Sequence, residues 1–306
     1  MKSVAAPAPL VSVLLPVHNG GPFLSQALES VLGQTLNDLE VIAVENGSTD
    51  GSLEILRASA DQDPRVSVVE AGPVGLVAAL NLAVETARGR FLARMDADDV
   101  AEPGRLAAQV EFLSAHPGVG VVGTAHDYID AAGVVVGARR FVTDPPLVEA
   151  SFYFGNPLAH STVMIDRERT GRVQYPSDAP DAEDLALWLG LARAGVIVAN
   201  VPDVLMHYRV HADSVTAQPG AAVGTSDVDA VVRAARWATP RSRWAISRTY
   251  NARSRGVGLV SFLAGVLALN CLNLLRPEVG RWALLRRSAL ALGAAAKPAG
   301  RRSTNA

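Results

Sequence analysis

Three carboxylates, Asp96, Asp98 and Asp99, fall within four positions directly after the apolar run Phe91 to Met95. Carboxylates this close repel one another unless something positive neutralises them. Oxygen-only ligands suit a hard divalent cation, Mg²⁺ or Mn²⁺, which keeps waters and shares phosphate oxygens. The alternative is a solvated acidic turn, and the position at the end of an apolar strand favours the metal. A second polar cluster, Glu45-Asn46-Gly47-Ser48-Thr49-Asp50, follows the apolar Leu39 to Val44. Its Ser48 or Asp50 can cap the next helix, while Glu45, at the strand tip, can accept a hydrogen bond from a bound base. A third, Asp181, Glu183 and Asp184, precedes Leu185, Leu187, Trp188 and Leu191. It is either a helix cap or the place of a general base. His207 and His211 lie four apart, but Tyr208, Arg209 and Val210 between them indicate strand or loop rather than a shared helical face.

Other chemistries lack their signatures. Gly75 belongs to no G-x-G-x-x-G, and there is no Walker lysine motif, so hydride transfer and ATP hydrolysis recede. The single cysteine, Cys271, excludes an intramolecular disulfide and a cysteine-cluster metal site.

The elements that must carry these clusters alternate between strand and helix. Leu10 to Leu15 forms a first strand, stopped by Pro16, and Pro22 opens a helix carrying Leu24, Ala27, Leu28 and Val31. Leu39 to Val44 is a second strand, Arg65 to Val69 a third and Phe91 to Met95 a fourth. A helix spans 75–88, closed by Gly89, and another spans 103–115. Short strands separated by helices of 10–15 residues build βαβ units around a parallel sheet. Ligands bind such sheets outside the carboxyl ends of the strands. His18-Asn19, Glu45 to Asp50 and Asp96 to Asp99 therefore belong on one rim. Further on, Val119 to Gly123 is a strand, and Asp130 to Gly133 is a hairpin turn between 125–128 and 134–136. His160 to Ile165 reads as a strand, Ala182 to Ala194 as a helix closed by Gly195, and Ile197-Val198 and Val204 to Tyr208 as two short strands.

The chain has 306 residues, with 49% hydrophobic and 19% charged, enough to fill a sizeable core. Its net charge of -2 hides an asymmetry: net -15 over residues 1–229 and net +13 over 230–306. The acidic part does not suit nucleic acid, and the basic part suits an anionic surface. Residues 233–255 hold seven arginines and no acid, and residues 256–275 carry no charge. Three readings stand for that segment: a helix packed on the domain, a helix lying on the inner leaflet, or a span. The start of the chain has no signal-peptide pattern, since Leu10 to Val17 is short and interrupted by Ser12 and Pro16. The expectation is a cytoplasmic chain, peripheral on the inner face of the cytoplasmic membrane through residues 233–302.

Seven segments in order resemble the family 2 glycosyltransferases: VSVLLPVHNG (11–20), VENGSTDGS (44–52), GLVAALNLAVETARGRFLARMDADD (75–99), RLAAQVEFLSAHPGVGVVG (105–123), NPLAHSTVMI (156–165), AEDLALWLGLARAG (182–195) and LMHYRVHADSVT (205–216). The resemblance implies the GT-A fold, a Rossmann-like α/β arrangement with a mostly parallel sheet and helices on both faces, over residues 8–216. A linker, 217–232, and a basic helical region, 233–306, follow. It also implies an inverting enzyme that uses a nucleotide-sugar donor (a UDP-sugar first, a dTDP-sugar second), Mg²⁺ or Mn²⁺, and a saccharide or lipid-linked acceptor. By the same resemblance Pro16 and Val17 border the base and Glu45 recognises it, although relatives more often have Asp there. Asp96 lies near ribose and metal, Asp98 ligates the metal with His211 nearby, and Asp99 ligates or braces the loop. Asp184 is the catalytic base, beside Glu183, with Trp188 and His160 shaping the acceptor side. Where many relatives have Arg, this chain has Leu80. The stretch after His211 is a candidate lid. Competing readings are a sugar-phosphate nucleotidyltransferase, which would need a basic anchor that VHNGG lacks beyond His18, and a non-catalytic nucleotide-binding module.

Overall fold

The computed structural model describes residues 7–152, 156–178, 182–212 and 214. The expected linker, the basic region, the uncharged run 256–275 and Asp181 lie outside the described residues.

The alternating pattern becomes β1 (Val11–Val17), α1 (Gly21–Leu32), β2 (Leu39–Glu45), α2 (Ser52–Gln62), β3 (Val66–Glu70), α3 (Leu76–Thr86) and β4 (Phe91–Arg94). Then come β5 (Val100–Ala101), α4 (Arg105–Ala115), β6 (Val119–Ile129), β7 (Val135–Arg139), α5 (Pro145–Ser151), a 3₁₀ turn (His160–Thr162), β8 (Met164–Asp166), α6 (Arg167–Thr170), α7 (Glu183–Arg193) and β9 (Ile197–Arg209). Among the described residues the nine strands join one sheet in the order β3-β2-β1-β4-β8-β6-β9-β5, with β7 hairpinned onto β6. The first four are mutually parallel, which requires the helical crossovers seen between them. β8 is antiparallel to both β4 and β6, and β9 returns parallel to β6.

Alternate residues of each central strand face opposite sides, and both sides are covered. Leu14, Ile42, Val44 and Leu92 pack with α3 and α7. Val13, Leu15, Val41, Ala43 and Ala93 pack with α1 and α4. This is why β1 and β2 are buried along their whole length and read as largely apolar runs, with only Ser12 and Glu40 polar before the terminal Glu45.

Four local expectations are corrected. His160 to Thr162 is a 3₁₀ turn rather than strand, because Thr162 Oγ1 donates to the Ala159 carbonyl (2.8 Å) and so offers the backbone a local alternative to a ladder. β6 runs on to Ile129, so the hairpin it forms with β7 belongs to one long strand. β9 is one strand of thirteen residues, and the register shift between Thr124 and Ala125 steps past Pro202 and Asp203, so the proline costs no ladder hydrogen bond. Finally, Gly89 does not cap α3, which ends before Ala87. It lies flush on β1, where a Cβ would sit 2.7 Å from Ser12 N.

Candidate active site

The register sets the rim. Val17 is opposite Glu45 and Leu14 is opposite Arg94, so β1, β2 and β4 end close together. Pro16 and Val17 are buried at the tip of β1. The loops behind them are sewn together: Asn19, in a left-handed conformation (φ 52°), accepts from Thr49 N (2.9 Å), and Ser52 Oγ accepts from Gly20 N (3.0 Å). Glu45 is buried and accepts from the Ser48 N–H. Burial works to raise its pKa, but the Ser48 and Gly47 bonds and His18 outweigh it and hold the carboxyl below its ordinary value. Asn46 accepts from Val74 N and Gly75 N, both at 2.9 Å, and so fixes the start of α3.

Asp96, Asp98 and Asp99 follow β4, and one carboxylate oxygen of each lies within 4.8 Å of the others. Burial and then the charge of Asp96 raise the pKa of Asp98. Burial and the charges of both neighbours raise that of Asp99 more. Asp99 Oδ2 is buried with no hydrogen-bond partner. Three crowded carboxylates, one with an orphaned oxygen, fit a hard divalent cation. His211 Nε2 sits 3.1 Å from Asp98 Oδ2, and its ring packs on Phe23 at 4.9 Å.

Two arginines that the sequence did not single out organise this cluster. Arg209, at the end of β9, uses its backbone N–H to donate to Asp99 Oδ1 (2.9 Å). Its side chain donates to the Asp98 carbonyl (2.8 Å) and Gln26 Oε1 (2.6 Å), over the face of Phe23. Arg94, in β4, is only 5% exposed and ion-pairs with Asp96. Burial disfavours its charge, but Asp96 more than compensates and its pKa rises. The available signal was a cation inside an otherwise apolar strand, which a buried position tolerates only with a partner.

The second acidic pair opens α7. Glu183 is buried, and burial followed by the charge of Asp184 pushes its pKa up to about 7. His160 Nδ1 is 3.6 Å from Glu183 Oε1, and His160 Nε2 is 3.0 Å from the Tyr175 hydroxyl. Burial and then the charge of Arg94 keep His160 neutral. Asp184 is half-buried, and burial raises its pKa against the Leu185 N–H, Arg94 and Asn156. Asn156 Nδ2 donates to Asp184 Oδ2 at 2.5 Å. Trp188 is wholly buried in the core, edge-on to His160 at 6.1 Å. The structure thus joins Asp98 to His211 and His160 to Glu183. Arg94 acts electrostatically on both acidic groups.

A mixed sheet whose parallel strands end at an acidic loop, with a second acidic pair at the start of a helix, is the arrangement expected of the GT-A fold, and solved glycosyltransferases share this fold. Residues 12–172, more than half of the chain, match glycosyl transferase family 2, and the chain belongs to that family. It is 32% identical over 210 residues to the putative teichuronic acid biosynthesis glycosyltransferase TuaG of Bacillus subtilis, covering 68% of this chain and 82% of that one. It is 29% identical to the UDP-Glc:alpha-D-GlcNAc-diphosphoundecaprenol beta-1,3-glucosyltransferase WfaP of Escherichia coli, covering 68% and 80%. Among solved structures, S. aureus TarS 1-349 in complex with UDP-GlcNAc shares the fold at 18% identity, with a TM-score of 0.61 over 92% of this chain and 87% of that one. The mannosyltransferase PcManGT of Pyrobaculum calidifontis, in complex with GDP-Man and Mn2+, does so at 22% identity, with a TM-score of 0.57 over 95% and 89%.

Proposed function

We propose that this chain transfers a sugar, with inversion at the anomeric carbon, from a nucleoside-diphosphate sugar to a hydroxyl of a saccharide or lipid-linked acceptor, in the synthesis of a cell-surface polysaccharide or glycolipid. A UDP-sugar is the donor favoured, with a dTDP-sugar second. The observation that carries this reading is the shared rim, where Glu45, the Asp96 to Asp99 loop and His211 gather at the ends of β1, β2, β4 and β9. The names of relatives that act on diphosphate-linked lipids and make surface polymers support the acceptor class.

In this reading Pro16, Val17 and Glu45 hold the nucleotide base, and Asp96 lies near the ribose. Asp98, with Asp96 and His211, holds Mg²⁺ or Mn²⁺, and Asp99 braces the loop through Arg209. Such a cation, when bound, neutralises charge growing on the diphosphate leaving group. Asp184 is the base, being the less buried member of its pair. It accepts the proton of the acceptor hydroxyl as that oxygen bonds to C1. The bond from C1 to the phosphate oxygen breaks, and its electron pair leaves with the diphosphate. Glu183, held near His160, orients the start of α7. Trp188 contributes from below, supporting His160 on the acceptor side.

Calorimetric titration with UDP tests the donor side. Mn²⁺ is expected to tighten binding at least about tenfold, and Asp98→Asn to remove most of that gain. Equal affinity in EDTA would overturn the metal assignment. Among the described residues no helix is long and apolar enough to cross a membrane. The net +13 of residues 230–306 supports peripheral contact with anionic lipid. Flotation on anionic and neutral vesicles separates that contact from none.

A further inference from the structure

A carboxylate that takes a proton from an attacking hydroxyl must aim one oxygen at it and stay ionised until the bond forms. For Asp184 burial works against ionisation. Two donors hold it. Asp184 Oδ1 accepts from Leu185 N (2.6 Å), at the start of its own helix, and Oδ2 accepts from Asn156 Nδ2 (2.5 Å), from the chain entering the 3₁₀ turn. The Asn156 amide is not free to flip. Its Oδ1 accepts from Leu158 N (3.2 Å), so its NH₂ must face Asp184. The backbone there is pinned from two further directions. Arg139 Nη2 donates to the Asn156 carbonyl (3.4 Å), and Asn200 Nδ2 bridges the Pro157 and Val142 carbonyls, each at 3.0 Å.

We propose that Asn156 is a positioning residue for the base: its amide fixes which lone pairs of Asp184 remain open to the acceptor hydroxyl and keeps that carboxylate ionised. The inference rests on the reading of Asp184 as base. The other charged or titratable groups around the carboxylate are Glu183 on the same helix, Arg94 from β4, Tyr175 and His160 beside Glu183, and Arg139 from β7. Arg94 and the Leu185 N–H also favour the ionised form, so loss of Asn156 is a partial loss.

The titration itself needs no identified substrate. The full chain is labelled at aspartate carboxyl carbons, and the Asp184 resonance is assigned by its disappearance in Asp184→Asn. Its titration is then followed in wild type, Asn156→Ala and Asn156→Asp. Asn156→Asp keeps the oxygen that the Leu158 N–H needs, removes the donor and adds a negative charge. The Asp184 midpoint is expected to rise by about one pH unit in Asn156→Ala, and further in Asn156→Asp, where a like charge faces it. Calorimetric affinity for UDP with Mn²⁺ is expected to be unchanged in both. A merely structural role in the Leu158 turn predicts that the Asp184 midpoint in the neutral Asn156→Ala stays at the wild-type value, and that result overturns the proposal. A shifted midpoint alongside undiminished transfer by Asp184→Asn overturns the base reading itself, and the positioning role with it.

Discussion

The two ends of the central sheet treat most of their buried acids in opposite ways. At the amino ends, Glu40 of β2 accepts from Ser12 Oγ (2.6 Å), Arg88 N (2.8 Å) and both arms of the Arg88 guanidinium (2.9 and 2.6 Å). Burial alone would raise its pKa, yet these partners hold it below the ordinary value. Asp166, fully buried at the same end, is met by Arg90 Nη2 (2.8 Å), Arg169 Nε (3.1 Å) and Glu168 N (3.0 Å). At the carboxyl ends, Asp98, Asp99, Glu183 and Asp184 are all raised, chiefly by burial. Acids at the amino ends are matched by cations and serve the fold. At the carboxyl ends Glu45 is also held low, by its own loop, but Asp98, Asp99, Glu183 and Asp184 are left short of compensating partners, which folding alone does not reward and a bound cation or a transferred proton would.

If that contrast is functional, substitutions at the two ends separate activity from stability. Asp184→Asn is expected to lower transfer about 10²–10⁴-fold while leaving nucleotide affinity in place, as read by turnover against UDP calorimetry. Near-wild-type turnover would move the base elsewhere. Glu40→Ala should act the other way. Loss of one partner from a buried network costs about 3 kcal/mol, the solvent-exposed Arg88 placing it at the lower end of such losses. The melting temperature should fall, with turnover per folded molecule unchanged. Because the Glu40 pKa is lowered on folding, its stabilisation is present above the ordinary glutamate range and is lost as pH falls through the folded value.

Glu183 gives the opposite slope. Its pKa rises from 4.5 to about 7 on folding, so between those values the folded state holds the extra proton. Stability is therefore greatest below the lower value and declines as pH rises through the upper one, by at most about 3 kcal/mol. Glu183→Gln should flatten the profile. Melting curves from pH 5 to 8 check this, and a flat wild-type profile would place Glu183 in a better-compensated environment than the structure gives it. The smallest effect belongs to a surface pair that joins α2 to the edge strand β3. Arg57 and Glu70, bonded at 2.9 and 2.8 Å but both about half exposed, should contribute less than about 0.5 kcal/mol. Arg57→Ala should leave chemical denaturation nearly unchanged.

Much of the architecture was written in local pattern. The largely apolar runs of β1, β2 and β4, interrupted by Ser12, Glu40 and Arg94, announced buried strands, and the spacing of Leu24, Ala27, Leu28 and Val31 announced α1. Positions that failed did so where a distant partner decided. His160 opens a run that reads as a strand, but the hydroxyl of Thr162 supplies a local bond and turns the chain. Pro202 resembles a break, yet the register shift against β6 absorbs it.

The sequence by itself determined the strand–helix alternation, the acidic loop after β4 and the acidic pair that opens α7, because each is a matter of residue type and short-range period. Only the tertiary structure decided which of them share an environment. Antiparallel β8 inserts between β4 and β6, and β9 runs back along β6 until Arg209 reaches Asp98 and Asp99 from 111 and 110 residues away. Asn156 finds Asp184 across 28 residues, and Arg94 is poised between the acids of the loop and those of α7. Periodicity reports which way a side chain faces within its own element. It says nothing of what stands opposite, and the charge state of a buried carboxyl depends on what stands opposite.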